Sequence, residues 1–150
     1  MAQVAEQRIA TVPAIQLETV SGTAGARHMR LGIANDDMPF LVDSVAGAIE
    51  AAGLQIDYVI HPILALRRDE TGQLIATGAS AGAGAARESL IYIEMERADA
   101  KARHKLLEDI QSVLADVRAA VADWAPMQAA MRADAERLGD GEGADLLHWL

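Results

Sequence analysis

The sequence predicts an α+β, ferredoxin-like domain: an antiparallel sheet of at least four strands with two helices on one face, followed by a helical extension. Three observations carry that expectation. Segments 11–20, 28–35, 54–68 and 88–97 either alternate apolar and polar residues or concentrate Ile, Val and Tyr, as half-buried strands do. Segments 39–52 and 99–124 instead space their apolar residues three and four apart, the period of an amphipathic helix. The resulting order holds β-α-β-β-α, five of the six elements of the split βαβ plan.

Each element has its own warrant. In TVPAIQLETV (11–20), Ile15, Leu17 and Thr19 alternate with Gln16 and Glu18, with a proline near the start, as strands tolerate it. SGTAGA (21–26) reads as a turn or short loop. HMRLGIAN (28–35) puts Met29, Leu31 and Ile33 on one side, so the two strands form an antiparallel hairpin. From Pro39 a helical stripe of Leu41, Val45, Ala48 and Ala52 begins, and Gly53 is placed to end it. LQIDYVIHPILALRR (54–68) returns to strand character. Its Pro62 lacks an N–H, which predicts an edge or a bulge there. RRDETGQL is a tight turn into a short strand, LIAT (74–77), and GASAGAGAAR (78–87) is a small-residue loop. ESLIYIEMER (88–97) alternates again. A long helix follows to Trp124, with Asp99 as its expected N-cap. Pro126 is expected to begin a further helix that Gly139 stops. ADLLHWL closes the chain on an apolar cluster of Leu146, Leu147, Trp149 and Leu150, which points to a piece of something longer.

In the ferredoxin-like plan the sheet order is 4-1-3-2. No strand follows the long helix, so the N-terminal strand 11–20 is expected in the slot beside strand 28–35. Strands 11–20 and 54–66 then become the sheet edges.

Composition narrows the function. A 150-residue chain makes one domain the default, burying roughly 68–70% of its unfolded surface. Hydrophobic residues make up 51% and aromatic residues 3%, so the core is aliphatic. A net charge of −9 opposes nucleic-acid binding, which rests on cationic contacts to phosphate. The absence of cysteine removes thiolate metal sites and disulfides and fits a cytoplasmic protein. No apolar run approaches the roughly 18 residues of a membrane span, and the first residues lack a signal-peptide plan. A soluble chain without a membrane partner is expected.

The chemistry-bearing stretch is NDDMPFLVDS (35–44). Asp36 and Asp37 lie where helix N–H groups are unpaired and partial positive charge collects, worth about 0.3–1 kcal/mol per acid. Pro39 suits a first helical turn, and Met38, Phe40 and Leu41 can cover the sheet end. A helix start thus accounts for every residue type. The functional reading is a ligand loop of Asn35, Asp36, Asp37, Met38 and Phe40. Asn35 and free N–H groups would hold a carboxylate while Asp36 or Asp37 meets an ammonium. A metal site of Asp36, Asp37 and Asp43 fails for want of the about six to eight oxygens that calcium takes.

Other motifs dissolve on inspection. Gly82-Ala83-Gly84 lacks the third glycine of a dinucleotide loop and precedes a strand, not a helix. His28, His61, His104 and His148 share no metal-ligand spacing. A Ser44–Asp43–His61 nucleophile scheme would put the serine inside a helix without an elbow motif. No catalytic residue and no metal site is expected.

NDDMPFLVDSV, VIHPIL with RRDETGQL, ESLIYIEMER and VLADVRAAVADW, in that order, resemble the N-terminal region of the large NAD-dependent glutamate dehydrogenases. The similarity covers about residues 11–150. The resemblance implies an ACT-like domain over 1–125 and a helical extension, 126–150, leading to a further domain. It also implies a non-catalytic regulatory or assembly module within an oligomeric enzyme that converts L-glutamate to 2-oxoglutarate with NAD. The module itself would hold no cofactor, NAD being bound elsewhere in the parent. Implied partners are the other domains of the same enzyme, a second copy, and an amino-acid effector at the 35–44 loop. The family pattern departs at two places. Loop 78–87 matches nothing in it. Phe40 stands after Pro39 where amino-acid-binding ACT modules usually carry a glycine, which argues against an effector site. A free-standing small enzyme is the remaining alternative.

Overall fold

The computed structural model describes residues 2–21 and 27–149. All but Ser21 of the expected 21–26 turn, and Leu150 of the closing cluster, lie outside the described residues. The chain divides into two compact units, 1–114 and 115–150.

The first unit is a six-stranded antiparallel sheet with helices. Its elements are α1 (Ala2–Glu6), β1 (Ala14–Ser21), β2 (Arg27–Asp36), α2 (Leu41–Ala51), β3 (Ile56–Ile60), β4 (Ile63–Arg68), β5 (Leu74–Thr77), β6 (Ala86–Met95) and the start of α3 (Ala100–Leu138). The sheet order is β1-β2-β6-β4-β5, with β3 also paired to β6. β3 and β4 lie end to end along β6, at Tyr92–Met95 and Ala86–Ser89 respectively. They are one strand line interrupted at His61-Pro62, the break that a residue without an N–H imposes. The Pro62 carbonyl still accepts the Leu90 amide at 2.9 Å.

Strand β1 pairs antiparallel with β2 from Ala14↔Ala34 to Ser21↔Arg27 and fills the edge slot expected of it. The other edge differs from the sequence reading. β5 pairs with β4, so only β3 of the 54–66 segment has no strand on its outer side among the described residues.

The two sheet faces have different fates. Met29, Leu31 and Ile33 of β2 stand opposite Met95, Ile93 and Ile91 of β6, and all six are fully buried. Helices α2 and α3 cover this face with Leu41, Val45 and Ile49, and with Leu106, Ile110 and Leu114. Helix α2 ends where Gly53, at φ +75°, donates to the Glu50 carbonyl while the Leu54 amide reaches Ile49; the left-handed turn suits glycine. Asp99 caps α3 as expected, its Oδ1 accepting the Ala102 amide at 2.8 Å.

Part of the opposite face is covered by the N-terminal segment. Ala5 joins Ala34, Leu66 and Leu90 in a small buried cluster with Ala14 and Leu74 at its rim. Helix α1 carries no periodic signal in the sequence, having only five residues. Nor does the sequence announce the short 3₁₀ turn at Gly78–Ala81, which buries Ala81 completely inside the small-residue loop.

The second unit holds the remainder of α3 and helix α4 (Glu142–Trp149). α3 runs unbroken through Pro126, where a new helix was expected to start. A mid-helix proline costs about 3 kcal/mol or more. Here Ala125, Met127, Gln128, Ala129 and Ala130 are strong helix formers on either side, so the helix continues. Ala135 and Ala144 are buried, whereas Trp124, Met127, Leu138, Leu146 and Trp149 are exposed.

Candidate functional site

The 35–44 stretch joins the end of β2 to the start of α2, and the sheet dictates its first residues. Asn35 and Asp36 still pair with Ser89 and Glu88 of β6. Asn35 is 1% exposed, buried on the face of the sheet that Ile33 and Asp37 share. Asp36 and Asp37 project to opposite faces, as successive strand residues must.

On one face, Asp36 Oδ1 accepts from the Arg8 guanidinium at 2.7 Å. Arg8 also donates through Nε to Glu88 Oε2 at 3.0 Å. Glu88 receives a two-pronged contact from Arg68, at 2.7 and 2.9 Å. Arg8 and Glu88 are 4% and 1% exposed. Burial opposes the charge on each. The hydrogen bonds and the opposite charges outweigh burial, holding the Glu88 carboxyl below its usual range and the Arg8 guanidinium above its own. No sequence motif announces this cluster, because its members are 80 residues apart or less conspicuously spaced along the chain.

On the other face, Asp37 is held by β6. Its amide donates to the Arg87 carbonyl at 3.1 Å, and its carboxylate accepts from Arg87 Nε at 3.0 Å and Ser89 Oγ at 3.1 Å. Asp37 is therefore not the helix cap. The N-cap is Phe40, at φ +70°, with no side-chain capping bond. Asp43 supplies the acid of the first turn. Phe40 is 65% exposed in a backbone region that a side chain with a Cβ enters at a cost of about 1–2 kcal/mol.

Asp37, Met38, Phe40, Asp43, His61 and Ile63 help to line a cleft of about 420 Å³. His61 Nε2 is buried there with no hydrogen-bond partner. The structure thus brings Asp37, Met38 and Phe40 to one cleft, leaves Asn35 buried on the strand and sends Asp36 to Arg8. Ser44 lies within α2, its amide bonded to the Phe40 carbonyl at 3.0 Å. Among the described residues no group of three His, Asp or Glu side chains is placed to hold a metal ion, and no helix is long and apolar enough to cross a membrane.

The sheet order, the helices on one face and the loop from β2 into α2 define an ACT-like α+β module. The family model for the glutamate dehydrogenase ACT1 domain matches residues 1–110, and the chain belongs to that family. It is 38% identical over 114 residues to the NAD-specific glutamate dehydrogenase of Halomonas elongata, covering 74% of this chain. It is 36% identical over 108 residues to the enzyme of the same name from Pseudomonas aeruginosa, covering 70% of the chain. The matched region spans 7% of the length of each relative.

Proposed function

We propose that the chain is the N-terminal, non-catalytic assembly and regulatory module of a large NAD-dependent glutamate dehydrogenase. The parent reaction in this reading is the oxidative deamination of L-glutamate to 2-oxoglutarate, with NAD bound elsewhere in the enzyme. Family membership and the similarity to two NAD-specific glutamate dehydrogenases support this parent. The observation that carries the assembly role is the pairing of both loop carboxylates: Asp36 is taken by Arg8, and Asp37 by Arg87 and Ser89. An effector ammonium would have to displace these partners. Meanwhile β3, with no strand on its outer side among the described residues, exposes Tyr58, Val59 and Ile60, each by at least 40%. An apolar edge of this kind favours pairing with other parts of the enzyme or with a second copy.

An amino-acid effector is the second reading. Its support is the cleft beside Phe40 and the buried His61 Nε2. Calorimetric titration of common amino acids into the chain separates the two. The assembly reading expects no saturable heat; saturable binding that Asp37→Ala abolishes while the fold persists would overturn it.

A further inference from the structure

The N-terminal segment is held in an unusual way. Its apolar anchors are small, Val4 and Ala5, and α1 has only five residues. Most of the grip is polar. Gln7 forms an isolated bridge with Gln73, and the Arg8 amide donates to the Gly72 carbonyl at 2.9 Å. The Arg8 side chain reaches Glu88, Asp36 and the Val12 carbonyl. Thr11 sits at φ +67°, a strained conformation for a β-branched residue. A segment with little buried apolar area and stored backbone strain belongs to the low end of local stability.

The Arg8 clasp is also back to back with the loop clasp. Asp36 and Asp37 are consecutive on one strand, and Arg87, Glu88 and Ser89 are consecutive on its partner. Even-numbered members bind Arg8 on one face; odd-numbered members bind each other on the opposite face. Neither aspartate can shift without moving the peptide that positions the other.

We propose that residues 2–12 form a releasable strap whose docking is coupled, through these two opposed clasps, to the 37–40 loop that frames the cleft. With the strap docked, Asp36 is pinned and the loop is fixed; with the strap withdrawn, Asp36 loses its buried partner and the loop gains freedom. Coupling of this kind is reciprocal, so a partner that draws off the N-terminal segment loosens the loop, and a change at the loop loosens the strap. The device is a property of the fold and holds for an empty or a filled cleft.

Hydrogen exchange on the 150-residue chain tests it from both ends. Gly72→Ala disturbs the strap without touching the loop, because the added Cβ would lie 2.3 Å from the Arg8 carbonyl oxygen. Arg87→Ala removes a loop contact from a side chain that is 71% exposed and leaves the strap untouched. In each variant, amides of 2–12 and of Asp37, Met38 and Phe40 are both expected to exchange about tenfold faster, while those of 29–34 and 90–95 keep their wild-type rates, the pattern of sub-global opening. Leu106→Ala serves as the control, accelerating all slow amides together. Acceleration confined to the mutated end would overturn the coupling. Strap amides that exchange only with the global rate would overturn the strap itself. If Gly72→Ala fails to fold, the Arg87→Ala arm decides alone.

Discussion

Replacing Glu88 by glutamine tests what the buried charge network contributes. Glu88 is 1% exposed and accepts three charge-assisted hydrogen bonds, two from Arg68 and one from Arg8. The amide keeps the shape and one acceptor oxygen but removes the negative charge between two guanidiniums. Asp36 still compensates Arg8, whereas Arg68, whose side chain is 10% exposed, loses its ion pair with Glu88. Breaking one side of a buried pair costs about 3–5 kcal/mol. The retained Asp36 contact and the partial exposure of Arg68 place the loss near the lower bound, about 3 kcal/mol. Urea denaturation at neutral pH is the assay, with the slope m unchanged because the surface exposed on unfolding is the same. A loss below about 1 kcal/mol, the scale of an exposed pair, would show that the guanidiniums simply re-solvate and that the network does not hold the sheet end.

Other outcomes follow from the same structure. Acid should destabilise the chain through Glu88: its folded carboxyl titrates below the ordinary value of 4.5, so the folded state binds fewer protons there. That stability is complete above 4.5 and is lost as pH falls through the lower folded value; Glu88→Gln should flatten this part of a stability–pH curve, and an unchanged slope would count against it. Phe40→Gly should not destabilise the fold, because relief of about 1–2 kcal/mol of left-handed strain offsets the added freedom of the unfolded glycine; thermal unfolding at a clearly lower temperature would contradict this. The purified chain should form no NADH from glutamate and NAD, and any glutamate-dependent NADH signal would sink the non-catalytic reading. Sedimentation of the chain should show concentration-dependent association that Val59→Lys weakens, with monomer at every concentration as the contrary result.

Much of the fold was legible because period and punctuation agreed. Alternation located β1, β2 and β6, and the spacing of Leu41, Val45 and Leu106, Ile110 located the helices. Pro62 marked the break between β3 and β4, and Gly53 and Asp99 marked a helix end and a helix start. The placement of β1 beside β2 followed from the hairpin and the one open slot in the sheet. What failed was decided by long-range contacts. Pro126 reads locally as a restart, yet its flanking alanines carry the helix past it. Helix α1 is too short to show a period, and it is placed by Arg8, whose partners lie up to 80 residues away. In the loop, local rules set Asp36 and Asp37 against the free N–H groups of a helix start. The carboxylate of Asp37 instead found Arg87 and Ser89 across the strand pair, leaving the cap to Phe40. Sequence spacing brought the loop residues to notice but gave no sign that their charges were already matched.

The proposed role of this module is assembly and not chemistry. Its most direct test uses the full-length enzyme of which the chain is proposed to be part, with Val59→Lys and Ile60→Lys placing charge on the exposed β3 edge. Light scattering after size separation would report the mass of the particle, with glutamate-dependent NADH formation followed in the same fractions. A smaller particle is expected, with NADH formation persisting in whatever fraction remains assembled. An unchanged mass, whatever happens to the rate, would contradict it.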